Sequence, residues 1–129
     1  MLLLKNADLY APEHVGRSDV LVGGGKILAV SKELDFRHST IDGLEVYDLD
    51  GKILAPGLID QHVHITGGGG EAGYHSRTPE ITLSRIIRYG TTTVVGTLGT
   101  DGCTRSLENL YSKAKALEYE GISTFIHTG

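Results

Sequence analysis

Between Leu58 and Ile126 the chain alternates twice between two kinds of pattern. Short apolar or β-branched runs (58–64, 91–95, 122–126) are separated by stretches with helical spacing. A strand that returns to its own sheet through a helix lies parallel to its predecessor. The order therefore predicts an α/β region built from strand–loop–helix units. The helix signals are local. Thr78-Pro79-Glu80 reads as an N-cap, a first-turn proline and a first-turn acid. Leu83, Ile86 and Ile87 form the apolar side of that helix, and Gly90 ends it. Leu107, Leu110, Tyr111, Ala114 and Leu117 mark a second helix that Gly121 ends.

The first 55 residues read differently. Leu2 to Ala7, Asp19 to Val22, Lys26 to Val30, Leu44 to Leu49 and Lys52 to Ala55 are short strand-like runs. Gly23-Gly24-Gly25 and Asp50-Gly51 read as hairpin turns. The expectation is a β-domain portion over 1–55, half of a small β-sandwich, and an α/β region over 56–129. His14 and His38 fall in predicted loops and are expected to face solvent.

Composition excludes several classes. The 129 residues are 40% hydrophobic with a formal net charge of −4, which suits a soluble domain rather than a nucleic-acid binder. No run approaches a membrane span, and Met1-Leu2-Leu3-Leu4-Lys5 is too short for a signal-peptide core. One cysteine, Cys103, excludes an internal disulfide framework and reads as a loop thiol. A cytoplasmic location is the default expectation.

The chemistry gathers after the first α/β strand. Pro56-Gly57 makes a sharp entry, and Asp60, His62 and His64 alternate along the strand, so all three are expected on one face. Imidazoles two residues apart stand roughly 6–7 Å apart at Cα, close enough to share one metal ion. Asp60 could support them or bond loop backbone. Gly67 to Gly70 and Glu71 follow at once. Thr100 and Asp101 lie after the second strand, and His127 and Thr128 after the third. In a parallel barrel the strands' C-terminal ends carry the site. His127 is a candidate lining residue.

Pro56-Gly57-x-x-Asp60-x-His62-x-His64 resembles the first metal motif of the amidohydrolase superfamily. The longer string from Asp60 to Gly73 is similar to the isoaspartyl dipeptidase family, as are Arg77-Thr78-Pro79-Glu80, Val94 to Asp101 and Glu120 to Ser123. The resemblance covers nearly the whole chain but only the N-terminal third or so of such an enzyme. It implies a β-sandwich portion followed by the first βα units of an incomplete (β/α)8 barrel. It also implies two Zn2+ ions per complete active site, one of them held by His62 and His64. The remaining metal ligands and the proton-transferring aspartate lie outside this chain, so no catalytic residue is assigned within it and the piece alone is expected to be inactive.

The implied substrate is a small β-aspartyl dipeptide, contacted by Gly69, Gly70, Glu71 and Thr100, with Glu71 facing its α-ammonium group. The implied reaction is metal-assisted amide hydrolysis by a homo-oligomeric enzyme that engages neither nucleic acid nor membrane. Tyr74 and His75 are assigned no role. Two alternatives stand beside this reading: a dihydroorotase-like or D-aminoacylase-like amidohydrolase, and a non-catalytic scaffold of the same fold.

Overall fold

The computed structural model describes residues 1–36 and 41–129. The expectation for His38 falls outside the described residues. The chain divides into two units, Met1–Pro56 and Gly57–Gly129.

The first unit is one five-stranded sheet. Its strands are β1 (Leu2–Tyr10), β2 (His14–Gly23), β3 (Lys26–Ser31), β4 (Glu45–Asp48) and β5 (Ile53–Leu54). The order is β3-β2-β1-β4, with β5 also on β1. Gly24 and Gly25, at φ 58° and 71°, close the β2–β3 hairpin as expected. His14 is exposed as anticipated, but it opens β2 instead of lying in a loop, and its Nε2 stands 2.6 Å from an Asp8 carboxylate oxygen.

Asp50-Gly51 departs from its expected role. It turns the chain, but β4 and β5 do not pair with each other. Both run parallel to β1, β4 along Leu2–Lys5 and β5 along Asp8–Leu9. The reason lies in β1 itself. Asn6 takes a left-handed conformation (φ 56°) where the β1–β2 register slips. Its carbonyl accepts from the Gly51 N–H at 2.8 Å, and its side-chain amide donates to Asp48 at 2.8 Å. The turn is stitched to this bulge. Leu3, Ala7, Leu9, Val20 and Leu21 are the buried apolar residues of this sheet.

The second unit places β6 (Leu58–Val63), β7 (Thr91–Gly96) and β8 (Ser123–Ile126) in one sheet of order β6-β7-β8, all parallel. Helices α1 (Leu83–Ile87) and α2 (Leu107–Glu120) make the crossovers. Ser106 caps α2 by accepting from the Asn109 N–H, and Gly121 ends it in the left-handed region at φ 115°. Leu110, Ala114 and Leu117 are buried with Ile65, Ile86, Val94 and Ile122 in one cluster. The Thr124 hydroxyl donates to the Ala114 carbonyl at 3.0 Å and fastens β8 to α2.

Helix α1 begins later than its sequence predicts. Thr78 is not its cap; Thr82 precedes the first helical residue. The Thr78 hydroxyl is occupied by the glycine loop, accepting from the Gly68 N–H at 2.8 Å and donating to the Gly68 carbonyl at 3.2 Å. The preference of a pre-proline residue for extended backbone acts in the same direction. Ile86 is buried, whereas Ile87 of the predicted apolar face is 47% exposed.

Candidate active site

The loops that leave the C-terminal ends of β6 and β7 build the site. Between Asp60 and Val63 the β6–β7 register slips, so three steps on β6 span two on β7. Such a bulge breaks the simple alternation of faces. Asp60 lies at the start of this slip. It borders a cavity with Val63, Ile81 and Arg85, and its carboxylate accepts from the backbone N–H of His62 at 3.1 Å. It shapes the bulge rather than orienting an imidazole.

His62 is the last strand residue but one, and His64 lies just past the strand. Their ring centroids are 5.2 Å apart with planes at 77°. His62 borders two open clefts. One, about 720 Å³ in volume, is shared with His64, Gly67, Gly68 and Arg85. The other holds Thr97, Leu98, His127 and Thr128. His127 thus reaches the same rim as His62. The Nδ1 of His64 is buried and has no hydrogen-bond partner among the described residues. Gly99 stands beside it: a Cβ built there would lie 3.3 Å from that nitrogen.

Two imidazoles at this separation, one with an orphaned buried nitrogen, fit a metal ion as donors, since neutral imidazole is a common ligand for such ions. Among the described residues, no group of three or more His, Cys, Asp or Glu side chains gathers as a ligand set. The chain offers a pair of ligands and not a complete shell.

The glycine loop wraps past His64. Glycine is required at two positions in it. Gly67 and Gly69 have φ 91° and 75°, and a Cβ would lie 2.2 Å from the Thr78 carbonyl oxygen and 2.3 Å from that of Ser76, respectively. Glu71 follows, exposed. Its own backbone N–H and the Thr100 hydroxyl hold its carboxyl below the usual range, and nearby His64 adds a smaller pull the same way. The Thr100 hydroxyl also reaches the Gly69 carbonyl at 3.5 Å. The structure thus gathers His62, His64, Gly69, Gly70, Glu71 and Thr100 at one strand end and leaves Asp60 to the backbone.

Two further side chains support this loop. Asp101, buried, accepts from the N–H groups of Cys103 and Thr104 and from the Thr104 hydroxyl. These bonds drive its pKa down to about 2, with the Thr104 hydroxyl the largest cause, despite the opposing effect of burial; Arg77, 2.7 Å away, contributes less. Arg105, also buried, donates to the carbonyls of Thr78 (2.8 Å) and Gly68 (3.2 Å). Asp101 is marked in the sequence by its place after the second strand, whereas no local signal marks Arg105. Cys103 lies in this loop, as expected, and is exposed.

Parallel βα units with a histidine pair at the strand end have counterparts among known proteins. No family model matches the chain. A dihydroorotase from Bacillus thuringiensis is 36% identical over 117 residues, 88% of this chain and 26% of the relative. A beta-aspartyl dipeptidase from Fervidobacterium islandicum AW-1, solved with beta-Asp-Leu, is 55% identical with a TM-score of 0.88, covering 99% of this chain and 33% of that one. A D-hydantoinase from Thermus sp. shares the fold at 21% identity and TM-score 0.64. The chain belongs to the amidohydrolase superfamily. It spans about a third of the solved dipeptidases and about a quarter of the curated dihydroorotase it matches. Among the described residues, no helix is long and apolar enough to cross a membrane.

Proposed function

We propose that this chain forms the N-terminal part of a zinc-dependent enzyme that hydrolyses β-aspartyl dipeptides. On this reading β6, β7 and β8 are the first strands of a (β/α)8 barrel, and the five-stranded sheet is part of a composite β-domain. The observation that carries it is the His62–His64 pair, with its orphaned Nδ1, set beside the Glu71-bearing glycine loop. His62 and His64 would hold one zinc of a pair, the remaining ligands coming from the part of the enzyme this chain does not span. Bound zinc would polarise the scissile amide and lower the pKa of a bound water.

The residues of this chain bind and orient. Glu71, ionised at neutral pH, is poised to pair with the α-ammonium of the dipeptide, a charge-assisted contact. Side-chain-free backbone at Gly69 and Gly70 lets the substrate approach closely. Thr100 holds the Glu71 carboxylate and the Gly69 carbonyl in register. His127 lines a rim of the site together with His62.

A dihydroorotase is the second reading, favoured by the 36% identity to that enzyme. A cyclic ring amide offers Glu71 no free ammonium, so the acid in the loop supports the dipeptide instead. The test is zinc content and turnover of β-Asp-Leu in the complete enzyme, with His62→Ala and His64→Ala. Loss of zinc together with turnover supports the proposal; two zinc ions retained with normal turnover would overturn it.

A further inference from the structure

We propose that Asp101 and Arg105 are positioning residues that clamp the glycine loop against Thr100 and thereby set how strongly the site selects a ligand with a free ammonium group. The inference rests on the dipeptidase reading for the ligand's identity, but the clamp itself stands on geometry.

Two loops meet here, residues 64–82 after β6 and 97–106 after β7. Arg105 belongs to the second and grips the first. Its side chain is 3% exposed, and its guanidinium spans two carbonyls of the first loop, Gly68 and Thr78. Gly68 follows His64 closely, and Thr78 is the residue that bonds Gly68 in both directions. Asp101 is the other half of the clamp. Its side chain is 4% exposed, and three bonds from Cys103 and Thr104 fix it in its own loop. It reaches across to Arg77 at 2.7 Å and stands 4.0 Å from Arg105.

The charges are spent on loop geometry rather than on the core. The apolar cluster of this unit is complete without them. A buried ion pair is weak evidence for stability, yet a planar fork bonding two fixed carbonyls admits one arrangement of the loops. Thr100 is the residue before Asp101, and its hydroxyl bears on Glu71 and Gly69. A Cβ built at Gly70 would lie 3.3 Å from the Asp101 Cβ, so the loops touch where Glu71 begins. Releasing the clamp shifts Glu71 relative to Thr100 while leaving the histidines on β6 and its end. A displacement near 1 Å in such a site costs up to about a hundredfold in rate.

The experiment compares Asp101→Asn, Arg105→Lys and Glu71→Gln, and each of the first two combined with the third, in the zinc-loaded complete enzyme. Substrates are β-Asp-Leu and its N-acetylated form. Both clamp variants should keep their zinc and lower kcat/KM for β-Asp-Leu about 10- to 100-fold, largely through KM. They should change the N-acetylated substrate little and add nothing once Glu71→Gln is present. Amide exchange over residues 66–78 should quicken in both. Arg105→Lys, which keeps the buried charge, carries the test if Asp101→Asn does not fold. Equal losses on both substrates with loss of zinc, or unchanged exchange in the loop, would overturn the clamp. If the wild type does not cleave β-Asp-Leu, the dipeptidase reading fails, and the exchange measurement alone decides the clamp.

Discussion

Gly99 stands against the imidazole of His64, so close that a Cβ would lie 3.3 Å from Nδ1. The histidine ring is braced by a residue with no side chain, in a loop from the neighbouring strand. Gly99→Ala should press the ring aside and lower zinc occupancy, and Gly99→Val should lower it further. Unfolding temperature should change little in either apo protein, because Gly99 lies outside the core cluster. Elemental analysis beside a thermal melt checks this, and full zinc in Gly99→Val would sink it.

The glycine loop gives a second prediction with an internal control. Gly69→Ala meets a left-handed φ of 75° and the Ser76 carbonyl oxygen, 2.3 Å from the added carbon. Backbone strain of this kind costs on the order of 1–3 kcal/mol, with the clash in addition. Gly102→Ala meets nothing within 4 Å and should be silent. Urea denaturation of the two variants side by side measures the difference; equal stability contradicts the loop's geometry.

Asp101 predicts a pH dependence. Its folded-state pKa, about 2, lies below the ordinary aspartate value of 3.8. A depressed carboxylate adds stability above its unfolded pKa, and that stability fades as pH falls through the folded one. The melting-temperature gap between wild type and Asp101→Asn should therefore be constant from neutral pH down to about 5 and narrow between roughly pH 4 and 2. A gap that widens in acid would show that the carboxylate is not held by these bonds.

Leu110 anchors α2 with 0% exposure. Leu110→Ala should cost about 2–5 kcal/mol. Tyr111, one residue on and 56% exposed, should tolerate alanine at under about 1 kcal/mol. Chemical denaturation separates the two.

Much of this was legible in the sequence, for reasons visible in particular residues. Helix α2 has a periodic apolar face and a glycine stop, both local signals, and they agree. The parallel order of β6, β7 and β8 followed from the helices between them. What failed was long-range. Thr78 looked like a cap because nothing local reveals that Gly68, ten residues earlier, takes its hydroxyl. Asp50-Gly51 looked like a hairpin because the partner of both flanking strands, β1, lies more than 40 residues away. The slip between Asp60 and Val63 was not legible, since it is set by pairing with β7. Arg105 was invisible, since its role is set by carbonyls 27 and 37 residues distant.

Glu71 should confer selectivity for a free α-amine. Glu71→Gln should lower kcat/KM on β-Asp-Leu and change that on its N-acetylated form little, with zinc unchanged. Equal losses on both would make Glu71 a structural support of the loop.

The most direct test is a comparison of substrates in the complete, zinc-loaded enzyme: kcat/KM for β-Asp-Leu against that for dihydroorotate. The Glu71-bearing loop beside His62 and His64 predicts turnover of the dipeptide and a preference for it of at least about a hundredfold, the scale of one charge-assisted contact. Turnover of dihydroorotate with none of β-Asp-Leu would contradict the account and assign the site to the cyclic amide.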